Sequence, residues 1–176
     1  RQTLLGLAQV LGHALAPGIA PGLAEVGAFL PYSPLHQLLL VALCGPVVAT
    51  SGNVSGEPVL TEPAQAEARL AQVADAFLHH DRSIVRPADD SVVRVIAGRA
   101  RPIRLGRGVA PLELELPQAL PEPVLAVGGH LKATVALAWD RRVVVSPHIG
   151  DMGTLRSEQV FAQVAEDLQR LYDVRA

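Results

Sequence analysis

The sequence predicts a mixed α/β (α+β) fold, with helices packed on a mixed sheet, and three patterns carry that expectation. Apolar stripes at helical spacing alternate with short β-branched runs through the first two thirds of the chain. Ser91–Ile96 and Ala100–Leu105 read as two strands of a hairpin turning at Ala97-Gly98. Near the end, three strand-like runs are followed by one long amphipathic segment.

Taken in order, Gln2–Leu15 carries Leu4, Leu5, Ala8, Leu11 and Leu15 at helical spacing, followed by the loop Ala16–Gly22. Ser33 before Pro34 is an N-cap and first-turn pair, opening a helix through about Leu43. Pro46–Thr50 reads as a short buried strand. Thr61 is placed to cap a second helix through about Leu78, with Leu70, Val73, Ala74 and Phe77 on one face. The Ser91–Leu105 hairpin comes next. Pro111–Pro123 holds four prolines among alternating Glu and Leu and reads as an interdomain linker. Beyond it lie the runs Val124–Gly128, Thr134–Trp139 and Arg142–Ser146, with Asp140-Arg141 as a tight turn. A helix from about Ser157 places Phe161, Val164, Ala165, Leu168 and Leu171 on one face. The division expected is therefore residues 1–111, a linker at 112–123, and residues 124–176.

The 176 residues are 49% apolar, enough for a core, yet only six are aromatic, so branched aliphatics and alanine must fill it. A formal net charge of −2 gives no global attraction to nucleic acid or an anionic membrane. One cysteine, Cys44, excludes an intrachain disulfide and fits a reducing compartment; at the end of an apolar helical run it reads as buried filler. No apolar run reaches the roughly 18 residues of a membrane span, and there is no signal-peptide pattern. A cytoplasmic chain without membrane contact is expected. Opening on Arg1, with Met152 its single methionine, it reads as an internal segment of a longer polypeptide.

The densest chemistry lies in Thr50-Ser51-Gly52-Asn53-Val54-Ser55-Gly56-Glu57-Pro58. Thr50, Ser51 and Ser55 offer hydroxyl donors and acceptors, and Asn53 both kinds of group in one planar amide. Gly52 and Gly56 permit close backbone approach or positive φ. That inventory suits phosphate oxygens and a nucleotide sugar. It also suits an ordinary turn, and chemistry alone leaves both readings standing.

Asp89-Asp90-Ser91 places two carboxylates and a hydroxyl at a strand start. The acids could hold Mg²⁺, but a solvated turn satisfying local backbone donors is the preferred reading. Arg94, Arg99, Arg101, Arg104 and Arg107 make one basic region, suited to anion oxygens through paired hydrogen bonds. Alternation puts Arg99, Arg101 and Arg107 on one face and Arg104 on the other. His79-His80-Asp81 lacks ligand spacing and reads as a structural loop. Lys132 and Thr134 follow Gly128-Gly129 without P-loop spacing. Ser146-x-His148-Ile149-Gly150-Asp151 offers a base and an acid, or a capped turn.

The block Thr50-Ser51-Gly52-Asn53-x-Ser55-Gly56-x-Pro58 resembles the Ser-Ala-Asn loop of YrdC-like nucleotide-binding domains, and in its detail the HypF carbamoyltransferases of [NiFe]-hydrogenase maturation. Phe29-Leu30-Pro31-Tyr32-Ser33-Pro34, Phe77-Leu78-x-His80-Asp81-Arg82 and Asp89-Asp90-Ser91-Val92-Val93-Arg94 fit that family in order. So do Arg107-Gly108-x-Ala110-Pro111, Leu131-Lys132-x-Thr134 and Ser146-x-His148-Ile149-Gly150-Asp151. The resemblance runs from about Ile19 to the end of the chain. It implies the later part of a YrdC-like twisted mixed sheet, then the opening strands and helix of an actin-like, TsaD-like domain.

The resemblance also implies chemistry. Carbamate derived from carbamoyl phosphate would react with ATP, handled with Mg²⁺, to give carbamoyl-adenylate and pyrophosphate. The carbamoyl group would pass to a cysteine of a HypE-type acceptor protein. Thr50, Ser51, Asn53, Ser55 and Arg107 would bind nucleotide and acyl-phosphate oxygens, with Ser91 and Arg104 in the catalytic role. Lys132, Thr134, His148 and Asp151 would face nucleotide in the second part. The chain departs from the family at Leu105 and Val109, where an arginine and a tyrosine are usual, and at His130 and Ala133. A zinc or iron site is expected only from missing downstream sequence, the usual Lys/Arg pair only from upstream, and no turnover from the segment alone. The rivals are a threonylcarbamoyl-adenylate synthase for tRNA modification and a non-catalytic module binding double-stranded RNA through the arginine hairpin; nucleic-acid binding is the less favoured.

Overall fold

A computed structural model describes residues 18–23 and 25–176. The helix expected over Gln2–Leu15 lies outside the described residues. The chain divides into two compact units, residues 1–49 and 50–176.

In the first unit the described helix is α1, Pro34–Leu43. Ser33 holds an extended backbone, and its side chain accepts from the His36 amide, as its placement before Pro34 predicts. The helix ends at Cys44, which takes a left-handed conformation at φ 53° while its amide donates to the Leu40 carbonyl. Cys44 is exposed, not buried filler: as the cap it sits beyond the helical stripe that would bury it. Pro46–Thr50 forms no strand among the described residues, and Val47 and Val48 are 51% and 81% exposed. A β-branched run becomes a strand only where a neighbour completes its ladder.

The second unit opens with the Thr50–Pro58 loop and α2, Pro63–Leu70. This helix is shorter than expected at both ends. Pro63 sets the first turn and disfavours helical geometry in the residue before it, so Glu62 is the cap and Thr61 falls one residue outside. At the other end the Val73 and Ala74 amides both donate to the Leu70 carbonyl, turning the chain before Phe77.

Strands β1 (Val92–Ile96) and β2 (Arg99–Arg104) form the expected antiparallel hairpin, with Ala97 and Gly98 at φ 51° and 73°. A register shift between Val92 and Val93 bulges the strand next to Ser91. Among the described residues, the parallel component on this side is a single bridge, Asp90 to Arg107.

Strands β3 (Leu112–Glu115), β4 (Val124–Val127), β5 (Val135–Trp139) and β6 (Arg142–Val145) build an antiparallel sheet ordered β3-β6-β5-β4. The first part of the expected linker is thus an edge strand. Leu112 pairs with Val145 and Leu114 with Val143, and Leu-Glu-Leu-Glu alternation gives one apolar and one charged face. The turn at Asp140-Arg141 is as expected, with Asp140 at φ 46°.

Helix α3 (Leu155–Tyr172) crosses this sheet, and its N-cap Thr154 accepts from the Ser157 amide. Val135, Leu137, Val144, Ile149 and Leu168 form the core, with Val160, Phe161, Val164 and Tyr172 packed against it. Leu171 is not part of that face. At 58% exposure it falls off the stripe, and Tyr172 takes the place one residue later. Among the described residues no helix is long and apolar enough to cross a membrane.

Candidate functional site

The Thr50–Pro58 loop is organised from within. The Asn53 side-chain amide donates to the carbonyls of Val54 at 3.0 Å and Glu57 at 2.9 Å, and its oxygen accepts from the Ser51 hydroxyl. Gly56 supplies the positive φ of 81° that closes the turn. Leu60 donates its amide to the Gly52 carbonyl at 2.9 Å, fastening the loop's two ends together. Asn53, half-buried, is therefore the loop's internal brace, while Thr50, Ser51 and Ser55 stay exposed. That leaves hydroxyls on a fixed rim facing solvent, a form suited to anion oxygens.

A second group forms where β1 begins and β2 ends. Ser91 Oγ accepts from the Gly106 amide at 2.9 Å and donates to the Arg107 carbonyl at 3.0 Å. The chain crossing is so close that a Cβ on Gly106 would lie 2.3 Å from the Asp89 carbonyl oxygen. Only glycine fits that contact without moving backbone. Arg104 is half-buried, with Nε donating to the Asp90 carbonyl at 2.9 Å and Nη1 3.8 Å from Asp89 Oδ2. Arg107 donates to the Ala88 carbonyl at 2.9 Å, and its Nε lies 3.7 Å from Asp90 Oδ1.

Two expectations change here. Arg107 lies beyond the strand end, after the Gly106 crossing, so it joins Arg104 rather than Arg99 and Arg101. Asp89 and Asp90 each face an arginine instead of local backbone donors. Each carboxylate is thus paired with an arginine, Asp89 with Arg104 and Asp90 with Arg107.

The third group comes from the β4–β5 and β6–α3 connections. Lys132, at φ 55°, donates its amide to Asp151 Oδ1 at 2.9 Å, and its ammonium lies 3.2 Å from the same oxygen. These bonds hold the Asp151 carboxyl below its ordinary range. Gly128 packs against the backbone of Thr134, where a Cβ would stand 2.6 Å from the Thr134 carbonyl oxygen. Ser146 is fully buried and ties β5 to β6, accepting from the Val135 amide and donating to the Pro147 carbonyl.

His148 joins the second and third groups. Its amide donates to the Leu105 carbonyl at 2.7 Å, and its Nε2 lies 3.9 Å from Asp89 Oδ2. Burial pushes its pKa down; Arg104 and Lys132 add to that, and Asp89 and Asp151 oppose it. Pro58 and Val59, at the end of the hydroxyl loop, line one small cleft with Asp89 and His148. Pro58, Asp89 and His148 are thus the points where the three groups converge, and neither Asp89's role nor Gly106's follows from sequence spacing. In the His79-His80-Asp81 segment, His79 Nε2 lies 2.7 Å from Glu67 Oε1.

Residues 3–106 match the Sua5/YciO/YrdC family model, described as "Telomere recombination". Residues 119–176 match the HypF Kae1-like domain. Carbamoyltransferase HypF of Synechocystis is 46% identical over 159 residues, covering 90% of this chain and 21% of that protein. Carbamoyltransferase HypF of Rhodobacter capsulatus is 41% identical over 165 residues, covering 92% and 22%. Full-length HypF in its phosphate- and nucleotide-bound crystal form superposes with a TM-score of 0.84 at 38% identity, over 91% of this chain and 25% of that one. The T. kodakarensis HypF structure gives 0.79 at 36% identity, over 86% and 20%. The chain therefore spans about a fifth of the length of the curated relatives it matches. On these matches the chain belongs to the Sua5/YciO/YrdC family, in the HypF line in which that domain is followed by a Kae1-like one.

Proposed function

We propose that this segment contributes the anion-handling half of a carbamoyl-adenylation site and the entry to the acceptor-side domain of a HypF-type carbamoyltransferase. The observation that carries the reading is the gathering of Ser91, Arg104 and Arg107 around the Gly106 crossing, in a chain whose relatives are named carbamoyltransferase HypF. In the proposed reaction the oxygen of carbamate, derived from carbamoyl phosphate, attacks the α-phosphorus of ATP. The bond from that phosphorus to the bridging oxygen breaks, and pyrophosphate leaves with the electron pair. A cysteine thiolate of a HypE-type acceptor then attacks the carbamoyl carbon and AMP departs.

The work asked of the protein is mostly preorganised electrostatics. Arg104, anchored through Nε, presents a fixed positive charge, with Arg107 beside it. Ser91 has its proton committed to the Arg107 carbonyl, so its part is to hold the crossing that aims both arginines. Thr50, Ser51 and Ser55 supply hydroxyls on the braced loop. Any Mg²⁺ arrives with the nucleotide phosphates, and Lys132, Thr134, His148 and Asp151 serve the acceptor-side domain.

The test is ATP–pyrophosphate exchange by the full reading frame encoding this chain, with carbamoyl phosphate or with threonine plus bicarbonate. Exchange that requires carbamoyl phosphate, and collapses in Asn53→Ala, is the expected result. Exchange driven by threonine and bicarbonate assigns the chain to tRNA modification instead. Silence with both, from folded protein, removes the adenylation reading.

A further inference from the structure

We infer that Arg156, on the first turn of α3 in the Kae1-like part, is a positioning residue for the hydroxyl loop of the YrdC-like part, so that the Kae1-like helix sets nucleotide affinity at the other domain's site. The inference rests on the adenylation reading above. It comes from two fastenings along one helix. Arg156 Nη2 donates to the Val59 carbonyl at 2.9 Å, and its Nε reaches toward the Pro58 carbonyl at 3.5 Å. These carbonyls immediately precede Leu60, whose amide closes the loop on Gly52. The guanidinium fork therefore grips the closing side of the braced loop, where Pro58 is buried.

Three turns along the same helix, Asp167 is 6% exposed and accepts from Arg86 Nε at 2.9 Å. Gln163 and Arg170 complete its shell from within the helix. Arg86 leads directly into Pro87–Ser91, the segment that carries Asp89 and Asp90. One rigid helix, spanning roughly 16 Å between these two positions, is thus tied to the lead-in of the arginine cluster and to the exit of the hydroxyl loop. A carboxylate this buried is strongly held only while its cations are in place, which fixes the helix while Arg156 reaches across. Backbone carbonyls accept from any suitable donor, so nothing at Pro58 and Val59 demands a guanidinium except the geometry of holding both at once.

The test uses Arg156→Ala and Arg156→Lys in the full reading frame. Expected in Arg156→Ala is a KM for ATP in pyrophosphate exchange raised roughly tenfold, about what losing one charge-assisted hydrogen bond gives, with kcat kept and Arg156→Lys partly restoring KM. Hydrogen exchange at the Leu60 amide should quicken while amides of β5 stay unchanged. A general loss of stability would instead lower kcat at unchanged KM and speed exchange at both places; that outcome, or unchanged KM and Leu60 exchange, overturns the inference. If the unsubstituted protein shows no carbamoyl phosphate-dependent turnover, the adenylation reading fails by itself. The Leu60 exchange comparison then still decides whether Arg156 holds the loop.

Discussion

Asp89 Oδ2 lies 3.9 Å from His148 Nε2 and 3.8 Å from Arg104 Nη1, so one carboxylate from the YrdC-like part faces a cation of its own domain and a histidine of the next. The distance to His148 is too long for a direct hydrogen bond, and burial outweighs the attraction: the His148 pKa falls below the ordinary 6.5. A lowered histidine pKa means that the unfolded chain binds more protons than the folded one once pH drops below the ordinary value. His148 therefore contributes stability in full above about pH 6.5, and loses it as pH falls from there through the folded value. The denaturant midpoint should decline over that window, and His148→Asn should flatten the decline.

Asp151 gives the opposite kind of group in a lower window. Its carboxyl is held down first by the Lys132 amide and then by the Lys132 ammonium. A depressed carboxyl pKa gives stability that is present above the ordinary 3.8 and lost as pH falls through the folded value. Asp151→Asn should lower the melting temperature at neutral pH and weaken its dependence on pH in the acid range, as thermal unfolding across pH would register.

Gly106→Ala should be among the most damaging single substitutions in this segment. The added methyl would meet the Asp89 carbonyl oxygen at 2.3 Å, and relief requires parting Ser91 from the Gly106 amide. A loss of about 3 kcal/mol is expected, the upper part of the range for overpacking a close contact. Gly129→Ala, whose Cβ meets nothing within 4 Å, should cost far less under the same denaturant titration.

Asn53→Ala removes three hydrogen bonds from one loop while leaving every exposed hydroxyl in place. Weaker nucleotide binding, by roughly tenfold or more, should accompany a stability loss of about 1–2 kcal/mol. Calorimetric titration with ATP, read beside the denaturation midpoint, separates the two effects. Asn53→Asp keeps the acceptor for Ser51 but loses both donors, and should fall close to Asn53→Ala.

Much of this architecture is legible in the sequence where local chemistry is decisive. Ser33-Pro34 fixes the start of α1, the β-branched alternation around Ala97-Gly98 gives the β1–β2 hairpin, and Asp140-Arg141 marks the β5–β6 turn. Where neighbours decide, local reading fails. Leu112–Glu115 has a clear period of two, but the surrounding prolines make it read as a linker until β6 supplies its partner. Pro46–Thr50 has strand composition and no partner among the described residues. Ser91 and Arg104 are visible as site candidates, whereas Asp89 and Gly106 matter because two distant turns meet, which no spacing rule encodes.

In the function proposed above, the Arg104 guanidinium, held by the Asp90 carbonyl, supplies charge to the adenylation reaction. The most direct measurement is pyrophosphate exchange with carbamoyl phosphate by the full reading frame carrying Arg104→Ala, alongside its melting temperature. A fall in kcat of about a hundredfold or more is expected, as for loss of a preorganised charge, with the melting temperature shifted by only a few degrees. Exchange at the unsubstituted rate from equally stable protein would contradict it.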